Sequence, residues 1–113
     1  MTILKNIKLT NREAKVLSII KSHGTPITST ELHQITKLDK RTIMEIVARL
    51  RFKGVPIVSK RFGTNSGYSI AKDENERMRC VAMLSNQATT MMKNINGLAN
   101  ADLNNWDKHI KVM

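Results

Sequence analysis

The chain has 113 residues and a formal net charge of +10, with 41% hydrophobic residues, and this length suits one domain with an appended element. No apolar run approaches the length of a membrane span, about 18 residues, and the first residues lack a signal peptide's apolar core. We therefore expect a cytoplasmic protein without a membrane segment. Cys80 is the single cysteine, which excludes an intramolecular disulfide and a zinc site built from paired cysteines.

The first predicted helix begins after Thr10. Thr10 and Glu13 have the spacing of a capping box, in which the hydroxyl and the carboxylate each accept a hydrogen bond from an amide at the helix start. Gly24 ends this helix because glycine readily adopts a left-handed conformation. A short extended segment, residues 26–28, follows the helix. The predicted buried stripe consists of Ala14, Val16, Leu17, Ile20 and, upstream of the helix, Leu9.

Two further helices are predicted with only a tight turn, residues 37–38, between them. Thr28 and Glu31 form a second capping box at the start of the shorter helix. Asp39 caps the next helix, where its side chain can accept from the Thr42 amide. Two short helices in this arrangement, the second basic at its start, are typical of a helix-turn-helix. The apolar residues of the third helix are Ile43, Ile46, Val47 and Leu50.

A β-hairpin is predicted directly after the third helix, which Gly54 ends. Its strands are residues 56–61 and 68–71, and the polar segment 63–67 forms the turn between them. The fold class is therefore mainly α with a small antiparallel β wing: a winged helix-turn-helix followed by a long C-terminal helix.

The last predicted helix extends from residue 75 to about 95, with Asp73 and Glu76 as its start signal. Gly97 is expected to interrupt it, and residues 102–106 are expected to form a short final turn. Its apolar residues are spaced by alternating gaps of three and four, as in a coiled-coil seam. This seam favours a homodimer, and the alternative is that the helix folds back and buries the stripe against the first helix. The predicted dimer residues are Val81, Leu84, Ala88, Met91 and Ile95.

The positive charge is confined to one part of the chain. Residues 1–72 contain 14 Lys and Arg against 4 Asp and Glu, whereas residues 73–113 contain 5 of each class. We therefore predict a DNA-binding domain at 1–72 and a dimerisation segment at 73–113.

The candidate DNA-binding residues lie on the third helix, at its end and on the wing. Lys40 and Arg41 could reach guanine edges or phosphates, and Thr42 a thymine methyl or a phosphate. Glu45 could accept from cytosine or orient a neighbouring arginine. The alternative interpretation is that these charges form only a solvated face. The predicted set is Lys40, Arg41, Thr42, Glu45, Arg49, Arg51, Lys53, Lys60, Arg61 and Asn65.

No residue grouping indicates catalysis. The three histidines are scattered, with no cysteine or carboxylate at ligand spacing, and no glycine-rich phosphate loop is present. We expect no catalytic residue, no metal, no cofactor and no small-molecule ligand.

Four short motifs carry a resemblance to a known family. They are Ser29-Thr30-Glu31-Leu32, Lys40-Arg41-Thr42-Ile43, the stretch 50–59 (LRFKGVPIVS) and Gly67-Tyr68-Ser69-Ile70. With them, residues 10–71 resemble the winged helix-turn-helix at the amino terminus of the biotin-ligase repressor and of DeoR-like regulators. The resemblance implies duplex recognition by the third helix, assisted by the wing. Those regulators continue into a ligase or effector-binding domain, whereas here only residues 73–113 follow the wing. With its methionine-rich helix after the wing, the chain resembles stand-alone proteins of bacteriophages and mobile elements.

We therefore expect a sequence-specific, double-stranded DNA-binding protein that acts as a dimeric transcriptional regulator. One alternative is a replication or partition factor of a phage or plasmid. Another is a protein-interaction module, such as an inhibitor.

Overall fold

In a computed structural model of the protein, residues 7–60 and 66–112 are described, and the chain divides into two compact units, Met1–Cys80 and Val81–Met113. The described elements are mainly helical with one small antiparallel sheet, as predicted. In chain order they are α1 (Asn11–Ser22), α2 (Ser29–Thr36), α3 (Lys40–Phe52), β1 (Ile57–Lys60), β2 (Gly67–Ile70), α4 (Glu74–Ala99) and a 3₁₀ helix (Trp106–His109).

The three predicted helix starts of the first unit are confirmed. The Glu13 amide donates to Thr10 Oγ1 at 3.1 Å, and the Thr10 amide donates to Glu13 Oε1 at 3.0 Å. The same reciprocal pair joins Thr28 and Glu31 at the start of α2. At α3, the Thr42 amide donates to the Asp39 carboxylate at 2.7 Å. Because each cap satisfies amides that a helix start leaves unpaired, the boundaries of these helices follow from local sequence.

The core of the first unit lies between α1, α2, α3 and the sheet. All four apolar residues predicted for the buried face of α3 are buried. On α1 the prediction is partly wrong, because Ala14 is exposed and the carboxylate residue Glu13 is buried, with 1% of its surface exposed. The cluster consists of Val16, Ile20, Ile27, Leu32, Ile43, Ile46, Val47, Leu50, Val55 and Ile57.

The wing is a two-stranded antiparallel hairpin. Its register pairs Ile57 with Ile70 at one end and Lys60 with Gly67 at the other. Each strand differs slightly from its predicted range, since β1 begins at residue 57 and β2 covers 67–70 instead of 68–71. Of the residues between the strands, 61–65 lie outside the described residues, and they include most of the predicted turn at 63–67.

The long helix α4 is one residue longer at its start and several residues longer at its end than predicted. Its first turn is capped by the Asp73 side chain, which accepts from the Glu76 amide at 2.9 Å. The predicted interruption at Gly97 is wrong, because the helix continues to Ala99. One glycine inside a helix costs about 1 kcal/mol, which is too little to end a long helix. The predicted turn at residues 102–106 is confirmed, since the Trp106 amide donates to the Asp102 carbonyl at 3.0 Å, and a 3₁₀ helix, Trp106–His109, follows it. No helix among the described residues is both long enough and apolar enough to cross a membrane.

Candidate nucleic-acid interface

Helix α3 presents a polar face on the side opposite its four buried residues. We call this surface, made of Lys40, Arg41, Met44, Glu45 and Ala48, the outward face, and all five of its residues are exposed. Arg41 Nε and Glu45 Oε1 lie 3.5 Å apart, one helical turn from each other, and 90% of the Arg41 side chain is exposed. Among the described residues, the Arg41 guanidinium therefore has one weak, solvent-screened ion-pair partner, Glu45.

The start of α3 is fixed by Asp39 and Thr42. The hydrogen bond from the Thr42 amide holds the pKa of the Asp39 carboxyl below its usual value. Thr42 itself is half-buried, whereas Lys40, beside it, is exposed. The cap thus fixes where α3 begins, and with it the position of Lys40 and Arg41 in the first turn of the helix.

The end of α3 is joined to α1 by a buried carboxylate. Glu13 Oε2 accepts from Arg49 Nε at 3.2 Å, and Glu13 Oε1 accepts from Lys53 Nζ at 2.5 Å. Lys53 Nζ also donates to the carbonyl oxygen of Lys8 at 2.9 Å. The pKa of Glu13 is lowered to about 2, chiefly by the hydrogen bond from Lys53 and then by that from the Thr10 amide. Glu13 is therefore ionised at neutral pH and binds two of the predicted DNA-binding cations.

Arg51 joins α3 to the wing and to α4. Its Nε donates to the carbonyl oxygen of Ile57 at 2.8 Å, and its Nη2 donates to Ser59 Oγ at 2.8 Å. The same Nη2 lies 3.9 Å from the buried Cys80 sulfur. Three elements of the first unit therefore converge on this one guanidinium.

Lys60, at the end of β1, is paired with the first turn of α4. Its Nζ donates to Glu76 Oε2 at 2.9 Å, and the other oxygen of Glu76 accepts from the Lys72 amide at 2.9 Å. These bonds, that from Lys60 first, lower the pKa of the Glu76 carboxyl. The ion pair between Lys60 and Glu76 therefore attaches the end of β1 to the first turn of α4.

The predicted DNA-binding residues that the structure describes fall into three groups. Lys40, Arg41 and Glu45 are exposed on the outward face, and Thr42 is half-buried in the cap of α3. Four cations bond to partners outside the outward face: Arg49, Arg51, Lys53 and Lys60. Arg61 and Asn65 lie outside the described residues, so their placement stays a prediction. Sequence reasoning missed Glu13 and Glu76 as partners of these cations. The capping-box spacing identified both carboxylates as helix starts, but it contains no signal for their second role.

The seam residues of α4 are exposed in the single chain. Their exposed fractions are 45% for Val81, 36% for Leu84, 60% for Met91 and 49% for Ile95, and Ala88 is also exposed. Within residues 7–60 and 66–112, no three metal-ligating side chains come together.

A comparison with protein families matches residues 12–69 to a family described as an HTH domain, which is just over half of the chain. The chain belongs to this helix-turn-helix family. The family is one of DNA-binding domains and not of enzymes, which supports a DNA-binding and regulatory role. The order of helices α1 to α3 followed by the β1–β2 hairpin fits a winged helix-turn-helix. No curated protein and no solved structure matches the chain.

Proposed function

We propose that this helix-turn-helix protein binds double-stranded DNA sequence-specifically as a homodimer and thereby regulates transcription. The observation that carries the proposal is the division of α3 into two faces. Ile43, Ile46, Val47 and Leu50 are buried, so the helix is held rigidly and its exposed side, with Lys40, Arg41 and Glu45, is directed away from the core. A rigid helix with an exposed polar face is the element that enters a major groove.

The outward face has the chemistry to read bases. The Arg41 guanidinium can donate two hydrogen bonds to the edge of a guanine, which is the commonest specific contact in the major groove. Glu45, 3.5 Å from Arg41 Nε, either orients that guanidinium or accepts from a cytosine amino group. The wing, with Lys60, Arg61 and Asn65, is proposed to lie along the adjacent backbone.

Electrostatics supply the sequence-independent part of the binding energy. Residues 1–72 contain all of the net positive charge. If a dimer neutralises about six phosphates, the log–log dependence of affinity on salt has a slope near −5.

Dimerisation is proposed to occur through the seam of α4. The spacing places Val81, Ala88 and Ile95 at the a positions of a heptad, and Leu84, Met91 and Leu98 at the d positions. In a parallel coiled coil, β-branched residues at a, such as Val81 and Ile95, with Leu at d favour two strands. Ala88 at the centre permits close approach, and the long, flexible side chain of Met91 fills the remaining space. Parallel pairing brings two copies of the DNA-binding unit to the same end of the dimer, as a palindromic site requires.

The proposal is tested by selecting duplexes from a random pool and measuring the mass of the protein with and without the selected duplex. One palindrome bound by two chains is the expected result. Cooperative spreading along repeats would favour a replication or partition factor instead. Failure to bind any duplex at low salt would overturn the proposal, and stable capture of a protein partner would then favour an inhibitor.

Single substitutions separate the two parts of the proposal. Arg41→Glu is expected to abolish specific binding but to leave the mass of the dimer unchanged. Met91→Glu places a charge in the seam and is expected to give monomers with much weaker binding to the palindrome. Lys93→Glu, on the same helix but outside the a and d positions, is the matched control and should alter neither property strongly.

A further inference from the structure

Glu13 divides its two carboxylate oxygens between different partners. Oε1 accepts from Lys53 Nζ at 2.5 Å and from the Thr10 amide at 3.0 Å, whereas Oε2 accepts from Arg49 Nε at 3.2 Å. Only 1% of the Glu13 side chain is exposed, so this carboxylate is held by the core and by its own helix cap. The group that faces Arg49 is consequently fixed in position.

Two carboxylates could pair with Arg49, that of Glu45 on the same helix and that of Glu13 on α1, and Arg49 bonds to Glu13. Glu45 precedes Arg49 by four residues on α3, the spacing at which helical ion pairs form. Glu45 instead pairs with Arg41, and Arg49 bonds to Glu13, which lies 36 residues earlier in the chain. The orientation of Arg49 is thus set by α1 and not by the base-reading face of its own helix.

The bond to Glu13 uses only one edge of the Arg49 guanidinium. An arginine has five N–H donors, and Arg49 engages Nε. Among the described residues, no acceptor bonds to its two terminal Nη groups, and 53% of its side chain is exposed. The four remaining donors form a planar fork of the shape that binds a phosphate through two parallel hydrogen bonds.

We propose that Glu13 is a positioning residue that holds the Arg49 fork ready for a DNA phosphate at the side of the groove occupied by α3. This inference rests on the proposed DNA-binding function. A helix in the major groove lies between two phosphate backbones, and residues beside its base-reading face contact them. Fixing the long arginine side chain before binding removes the entropy that it would otherwise lose on binding.

A positioning role for Glu13 and simple electrostatics predict opposite effects of removing its charge. Removing a carboxylate from a DNA-binding surface ordinarily strengthens binding, because the carboxylate repels phosphates. If Glu13 positions Arg49, however, Glu13→Gln weakens binding although the protein becomes more positive. The expected loss is about tenfold, the size of one charge-assisted hydrogen bond, and the salt slope loses about one unit.

The chain contains a matched control at Glu31. Glu31 occupies the same capping-box position on α2, where it accepts from the Thr28 amide and hydroxyl, but its ion-pair partner is His23, not a residue of α3. Glu31→Gln therefore removes the same charge at the equivalent cap position, and the glutamine oxygen can still accept from the Thr28 amide, without disturbing Arg49. Its affinity for the selected duplex should stay the same or rise, with the salt slope unchanged.

Two further variants test whether the effect passes through Arg49. In an Arg49→Gln background, Glu13→Gln should cause no additional loss of affinity. Arg49→Lys keeps the positive charge at position 49 and leaves Glu13 unchanged, but the variant lacks the planar guanidinium fork. It should also bind the selected duplex about tenfold more weakly. This variant keeps the inference testable even if Glu13→Gln prevents folding, which circular dichroism would show.

The possible failures are distinguishable. If the wild-type protein binds a selected duplex and folded Glu13→Gln binds equally well or more tightly, the positioning role is wrong and the proposed function stands. Full affinity of Arg49→Lys overturns it in the same way. If the wild-type protein binds no duplex at all, the proposed function fails and this inference fails with it.

Discussion

Tyr68 in β2 and Ile27, which precedes α2, exchange two backbone hydrogen bonds. The Ile27 amide donates to the Tyr68 carbonyl at 2.9 Å, and the Tyr68 amide donates to the Ile27 carbonyl at 2.8 Å. This bridge attaches the wing to the helical part of the first unit, and both side chains pack in or against the core. The approach is so close that the residue before Tyr68 has no room for a side chain. That residue is Gly67.

Gly67→Ala should destabilise the first unit by about 2–4 kcal/mol. A Cβ at this position would lie 2.5 Å from the carbonyl carbon and oxygen of Ile27, and the backbone φ of +134° is itself unfavourable for alanine. Urea unfolding measures the loss. Gly24→Ala is the control, because Gly24 has a φ of +81° with nothing within 4 Å of an added Cβ. Equal effects of the two substitutions would show that the contact with Ile27 is unimportant.

Gly97→Ala should have the opposite effect and stabilise α4 by about 1 kcal/mol. Gly97 lies within the helix, and an added Cβ meets nothing within 4 Å. Far-ultraviolet circular dichroism should show a helix that melts at a higher temperature. A loss of helix content would indicate instead that glycine is required at this position.

The difference between the correct and incorrect predictions has a physical basis. Helix starts are local, since a cap such as Asp39 and Thr42 involves neighbours three residues apart, and the pattern is visible in the sequence. The burial of Glu13 and the exposure of Ala14 depend on residues of α3 that are distant in sequence. The residue type at position 97 predicts an interruption of α4, but the neighbouring helical residues outweigh the small cost of one glycine.

The candidate site shows the same division between local and distant information. The basic character of α3 and its exposed face could be predicted from periodicity. Which cations have partners within the protein could not be predicted, because Arg49, Arg51 and Lys60 find those partners 8 to 36 residues away, at Glu13, Ser59, Cys80 and Glu76. A count of basic residues therefore does not separate the exposed cations from those that also stabilise the fold.

Arg51 and Arg41 should differ in what their loss does to the protein. Arg51→Met removes hydrogen bonds to Ile57 and Ser59 and leaves a partly buried carbonyl unpaired, so it should cost about 2–3 kcal/mol of stability. Arg41→Met removes one exposed ion pair and should change stability by less than about 0.5 kcal/mol. Its affinity for the selected duplex should nevertheless fall. Urea unfolding and duplex titration of both variants test this pair, and a large stability loss for Arg41→Met would contradict it.

Stability should decrease in acid, and Glu13 should account for much of the decrease. The pKa of Glu13 falls from its usual 4.5 to about 2 in the folded protein, and the pKa values of Glu31, Asp39 and Glu76 are also lowered. Since the folded state binds protons more weakly than the unfolded state, these carboxylates stabilise the fold fully above their unfolded pKa. The contribution of Glu13 is then lost as the pH falls from about 4.5 to about 2.

Glu13→Gln isolates this contribution. Glutamine keeps the size of the side chain and can still accept from the Thr10 amide, but it does not titrate. The urea midpoint of the variant should therefore be lower than that of the wild type at neutral pH, and it should fall less steeply in acid. The two midpoints should converge near pH 2, where Glu13 of the folded wild type becomes protonated. Midpoints that fall in parallel over this range would mean that the ion pairs of Glu13 with Lys53 and Arg49 do not stabilise the fold.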